Sequence, residues 1–195
     1  MRTKFLGILT TSCLALSVQA QMDNSYKDFP IVVTVQFQSL SVTFRNFKSN
    51  FSNIGFGLGT EVSLNGDHNA IQQITALWYH NKTVGNGLMV YTQTAWRLTI
   101  ASNAYSELKA GAGYQYSFRP VESFRQKNGN WVNVGHKGKG MLMLPVGISL
   151  GYNQQTNGML SPFITYQFLI ASGYNKSVPL IPETLIQVGS RIHAK

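Results

Sequence analysis

The sequence predicts an all-β chain: an antiparallel, up-and-down transmembrane β-barrel of eight strands behind a cleaved signal peptide. Three observations carry this. Alternation with period two dominates beyond residue 30, and no apolar run there is long enough for a membrane helix. Charged residues make up 12% of the chain, about half the usual share for a soluble domain, while aromatics also reach 12%. The face opposite the apolar one is rich in glycine rather than in long charged side chains.

The first element is the leader. MRTKFLGILTTSCLALSVQAQ has a basic head at Arg2 and Lys4, an apolar stretch over 5–18, and Val18-Gln19-Ala20 where a signal peptidase reads. A retained anchor is the alternative, but the stretch is well short of the roughly 20 residues a spanning helix needs. Cys13 does not fit a lipoprotein, since it lies inside the apolar core and has Thr10 three places upstream where leucine belongs. The expected division is therefore 1–20 signal peptide and 21–195 barrel domain. Cleavage removes the only cysteine, and with it any disulfide, thiolate nucleophile or Cys-based metal site. It also removes two of the 16 bases; the other 14 stand against seven acids. That excess suits anionic lipid head groups, and equally a merely basic surface.

The strands follow in order. Residues 31–46 and 69–80 read as strands with weak alternation, on either side of a clear one at 53–65. There Ile54, Phe56, Leu58, Val62 and Leu64 oppose Gly55, Gly57, Gly59, Glu61 and Ser63. Residues 86–99 form the fourth. The fifth, 105–118, sets Leu108, Ala110, Ala112, Tyr114, Tyr116 and Phe118 against Glu107, Lys109, Gly111, Gly113 and Gln115. The sixth, 141–153, alternates best, with Leu142, Leu144, Val146, Ile148, Leu150 and Tyr152 on one face. Met143, Pro145, Gly147, Ser149, Gly151 and Asn153 occupy the other. Residues 161–174 and 183–193 complete eight, each able to provide the ~9–11 residues of a tilted membrane strand. No linker or composition shift divides them.

Connections alternate in length, as short turns on one side of a membrane and longer loops on the other require. Residues 65–68, 100–103 and 154–160 are turn-like, whereas 119–140 and 175–182 are longer. The short connection after 31–46 breaks the rule. Tyr79, Tyr114, Tyr116 and Tyr174 are expected in an aromatic belt at the loop end, and Trp96, Tyr105, Tyr152 and Phe163 in one at the turn end.

A soluble β-sandwich also alternates, so the second face must decide. Here it carries interleaved glycines with Glu61, Glu107, Lys109 and, by the same parity, Arg97 and Arg191. A water-facing side would hold many more charges. A narrow barrel interior needs glycine for room and needs its few charges paired. Glu61 and Glu107 are accordingly expected to pair with Arg97, Lys109 or Arg191.

With these residues in place, the chain over about 31–193, down to the closing segment LIQVGSRIHAK, resembles the small eight-stranded outer-membrane barrels of Gram-negative bacteria. That group holds adhesion, lipid-modifying and anchor barrels, so the resemblance implies the fold and a cell outer-membrane location. Members commonly end in an aromatic residue that the assembly machinery reads; Ile192-His193-Ala194-Lys195 departs from that pattern.

Chemical motifs fail in context. Gly147-Ile148-Ser149-Leu150-Gly151 matches a nucleophile elbow but lies inside the best strand, with no helix after it. Gly135 and Gly140 have phosphate-loop spacing, yet Met141 stands where the lysine belongs. Gly55, Gly57 and Gly59 precede no helix. His68, His80, His136 and His193 are scattered. His80-Asn81-Lys82 puts lysine where barrel-type lipid A deacylases carry serine. No cofactor, metal or nucleic-acid partner is expected.

The loop over 119–140 has a character of its own. Arg119, Arg125, Lys127, Lys137 and Lys139 face a single acid, Glu122, with Phe124 and Trp131 among glycines. A solvated loop is one reading; binding anionic glycolipid phosphates, with Trp131 at the interface, is the other. The function expected is a non-enzymatic interaction or anchoring module working through external loops. A barrel-type lipid- or glycolipid-modifying enzyme and a narrow passive pore are the alternatives.

Overall fold

The structure is a computed structural model that describes residues 29–40, 51, 53–81, 85–118, 122, 124–133, 135, 138–153, 160–173 and 179–193. Ten strands are present among them: β1 (Ile31–Ser39), β2 (Ile54–Ser63), β3 (Ala70–Asn81), β4 (Gly85–Thr99), β5 (Ala104–Ser117), β6 (Phe124–Lys127), β7 (Asn130–Asn133), β8 (Lys139–Tyr152), β9 (Leu160–Ser172) and β10 (Leu180–Ile192). Eight close into a barrel, in the order β1-β10-β9-β8-β5-β4-β3-β2, and every neighbouring pair is antiparallel. Closure leaves no open edge, which a sheet crossing hydrocarbon requires.

Alternation sets the facing. Along β8, Leu142, Leu144, Val146, Ile148 and Leu150 are exposed, while Met141, Met143, Pro145 and Ser149 are buried. The same division holds on β2 and β5. An apolar outer wall and a polar inner wall are the inverse of a soluble globule. Glycine fits the inner wall by close approach: a Cβ on Gly87 would overlap the ring of Tyr79, and one on Gly113 would overlap Tyr91.

Two expectations are corrected. β1 ends at Ser39, where its pairing with β10 stops; on the other side the last pair is Phe37 with Ile54. Residues 41–46 lie outside the described residues. The connection after β1 therefore spans 40–53, long rather than short, whereas the one between β3 and β4 spans only 82–84 and departs from the long-short rule. The second correction concerns 119–140, read above as a loop. Within it β6 and β7 pair as a hairpin, Lys127 opposite Asn130. Asn128 and Gly129, with φ of 50° and 81°, make its turn. Both central residues of a type I′ hairpin turn need positive φ, which asparagine and glycine accept. Residues 1–20, expected to be a signal peptide, lie outside the described residues.

Candidate functional site

The lumen is built in layers. Nearest the short turns sits an ionic cluster, to which four strands contribute because Glu61, Arg97, Glu107, Lys109 and Arg191 all occupy inward positions. Glu107 takes Arg97 Nη2 at 2.6 Å, Arg191 Nη2 at 2.9 Å and Lys109 Nζ at 3.0 Å. Glu61 takes Arg191 Nε at 2.7 Å and Arg97 Nη2 at 3.1 Å, and Gln73 Nε2 donates to it at 2.8 Å. Aromatic faces complete the cage. The Arg97 guanidinium lies 4.5 Å from the centre of the Tyr105 ring, and that of Arg191 lies 4.6 Å from Phe163. Arg191 also donates to the Tyr105 hydroxyl. Glu107 and Arg191 are 0% and 1% exposed, so the low dielectric strengthens each contact and makes an unpaired member costly.

Next comes an amide layer. Gln167 Nε2 donates to Gln93 Oε1 at 2.9 Å, and Gln187 Nε2 to Gln36 Oε1 at 3.3 Å and to the Tyr91 hydroxyl at 3.1 Å. A cavity of about 20 Å³ lies among Thr34, Gln93, Lys109, Gln167 and Gln187. Beyond it Leu77, Met89, Met143, Leu169 and Leu185 close an apolar plug with Tyr79 and Tyr91. At the loop end a buried carboxylate, Glu183, accepts Gln38 Nε2 and Gln115 Nε2, each at 2.9 Å. Tyr79 belongs to this network, accepting from Gln115 at 2.9 Å.

Tyr79, Tyr105 and Phe163 are thus 1%, 2% and 6% exposed and line the lumen, which corrects their assignment to the interfacial belts. Parity wins over residue type: each lies an even number of residues from an inward-facing neighbour on its strand, Leu77, Glu107 and Gln167. Trp96, Tyr114, Tyr116 and Tyr152 do face outwards, joined by Trp78. Tyr174 lies outside the described residues. The inward glutamines and Glu183 were not singled out as site residues, although counting by twos back from Arg191 reaches Glu183.

Ser149 Oγ shares a 2.6 Å hydrogen bond with Thr165 Oγ1 and lies 3.2 Å from the Ile164 carbonyl oxygen. Neither neighbour can act as a general base for it. No three His, Cys, Asp or Glu side chains among the described residues gather as metal ligands would. At the mouth on the turn side, about 80 Å³ opens between Glu61, Ser63, His68, Arg97 and His193.

The basic loop divides. On the hairpin Trp131 is 69% exposed, and Phe124, Val132 and Lys127 are also exposed. The pairing puts Phe124, Gln126, Trp131 and Asn133 at alternate positions from Lys127, Asn130 and Val132, so Phe124 and Trp131 share one ribbon face and Lys127 lies on the other. Lys139 begins β8, half-buried and engaged within the protein. Arg119, Lys137 and the side chain of Arg125 lie outside the described parts.

No protein-family model matches the chain, and no curated protein matches it in sequence. Solved structures do match. Neisserial surface protein A superposes with a TM-score of 0.61 at 10% identity, over 85% of this chain and 97% of that one. Ail, the attachment invasion locus protein of Yersinia pestis, gives 0.51 at 12% identity, over 86% and 98%. The N-terminal β-barrel domain of Pseudomonas aeruginosa OprF gives 0.51 at 13% identity, over 85% and 97%. The fold is that of the small eight-stranded outer-membrane barrels.

Proposed function

We propose that this chain is exported with loss of residues 1–20, sits in the outer membrane of a Gram-negative bacterium, and acts as a non-enzymatic interaction or anchoring module through its loop end. The observation that carries the reading is the β6–β7 hairpin. A folded ribbon standing beyond the barrel, with Phe124, Trp131 and Val132 exposed beside Lys127, is a contact surface. Beneath it the lumen is filled by the apolar plug and closed at the turn end by the ionic cluster, an arrangement that favours a scaffold over a conduit. One of the similar structures is named for attachment and invasion, in keeping with a role carried by loops.

The ligand chemistry we assign is the anionic phosphate of outer-leaflet glycolipid. Arg119, Arg125, Lys127 and Lys137 supply charge, Trp131 supplies an interfacial ring, and Lys139, already engaged, contributes least. Attraction to surface charge fades over about 8 Å in physiological salt. Binding of the purified barrel to vesicles containing anionic glycolipid should therefore weaken steeply as salt rises. The triple variant Arg125→Gln, Lys127→Gln, Lys137→Gln should lose most of that salt dependence while staying folded. Unchanged affinity with unchanged salt dependence would make the loop a bystander.

A further inference from the structure

The outer wall of the barrel is uneven. Along the middle of β8 the lipid-facing positions are leucine, isoleucine and valine, whereas the middle of β3–β5 presents Gln72, Thr92, Thr94 and alanines around one exposed isoleucine, Ile74. Cross-strand pairing sets Gln72 beside Thr94 and Thr94 beside Ala110; one row on, Thr92 stands beside Ala112. These polar residues lie among apolar outward neighbours. Along β4, Thr92 and Thr94 lie between outward Leu88 and Val90 on one side and outward Trp96 and Leu98 on the other.

Gln72 partly satisfies itself. Its Nε2 donates to Thr92 Oγ1 at 2.5 Å, and its Oε1 accepts from Thr94 Oγ1 at 2.8 Å. The Thr92 hydroxyl in turn donates to the Gln73 carbonyl at 3.0 Å. A primary amide has two N–H donors and two acceptor lone pairs. One donor and one acceptor of Gln72 are left over, on a surface where lipid tails offer no partner. A primary amide is self-complementary, so a second copy related by a twofold axis provides both missing partners at once. The alanines at 110 and 112, beside Thr94 and Thr92, let two walls approach closely enough for that exchange.

We propose that the lipid-facing wall of β3–β5 is where two copies of this chain associate side by side in the membrane, the two Gln72 amides hydrogen-bonding across the twofold axis. The inference rests on the membrane-spanning reading of the barrel and not on the loop ligand. Its test uses the full chain in membranes with Cys13→Ser, so that one introduced thiol reports proximity. Ala110→Cys should give an oxidised dimer, whereas Val188→Cys on β10, across the barrel, should not. In energy-transfer measurements between labelled, reconstituted barrels, Gln72→Leu should raise the dissociation constant about tenfold or more. Simple apolar packing predicts the opposite sign, because leucine adds apolar surface. Membrane fractionation and heat-dependent gel mobility of the same samples report insertion separately. In inserted, closed barrels, absence of the Ala110→Cys dimer, equal cross-linking at Val188→Cys, unchanged affinity in Gln72→Leu, or cross-linking to a different protein would each overturn the proposal.

Discussion

Glu107, fully buried, holds three cations, of which Lys109 and Arg191 are buried with it and Arg97 lines the turn-side mouth. Replacing it with glutamine leaves Arg97, Lys109 and Arg191 facing Glu61 alone, and breaking a buried ionic set in this way costs about 3–5 kcal/mol. Removing one cation in the same background should recover part of the loss. Urea unfolding of the barrel in vesicles should therefore show Glu107→Gln strongly destabilised and Glu107→Gln/Lys109→Met less so. A strictly additive pair would mean that the groups do not act as one network. At this scale the membership of the cluster was legible, because charge is rare here and parity turned all five residues inwards. The aromatic residues were less so. A tyrosine suits a membrane interface and a crowded lumen equally, and only its parity with Glu107 turns Tyr105 inwards. The glutamines escaped because an amide is neither apolar enough to mark a wall nor charged enough to demand a partner.

An element shows its facing most clearly in β8, where Ile148 meets lipid and Ser149 is buried against Thr165. Arginine at the midplane of a barrel's outer face costs about 2–4 kcal/mol, so Ile148→Arg should lose about that much in an unfolding titration. Ser149→Ala forfeits one neutral hydrogen bond, about 1 kcal/mol or less. Equal damage from the two would reverse the facing of the strand. Such strands were legible because a large apolar or aromatic residue recurs at every second position from Leu142 to Tyr152. β3 was not, since Gln72 outside and Leu77 inside invert the usual contents of the two faces. The wall that reads poorly as lipid-facing is the one now assigned to a second copy. The hairpin was missed for another reason. FRQK and NWVN are four residues each, too short for periodicity to register, and only Asn128-Gly129 marked the turn.

At the scale of the whole molecule, closure and filling make separate claims. Eight antiparallel ladders leave no edge, so opening the barrel anywhere breaks a full row of hydrogen bonds in a medium that cannot replace them. A closed barrel of this kind should resist detergent, and the unboiled protein should migrate differently from the boiled one while fractionating with the outer membrane and beginning at Gln21. Filling adds a second expectation. An interior of eight strands is about occupied by side chains, and here Leu77, Met89, Met143, Leu169 and Leu185 form an apolar layer that ions would have to breach. Planar bilayers holding the purified barrel should accordingly show no steady conductance. Leu169→Gly/Leu185→Gly should create leak by thinning the plug, provided gel mobility shows the variant still closed. Recovery of the wild type as a soluble periplasmic protein would remove the membrane reading. A steady conductance in a heat-modifiable wild-type barrel would leave that reading intact and make the chain a pore.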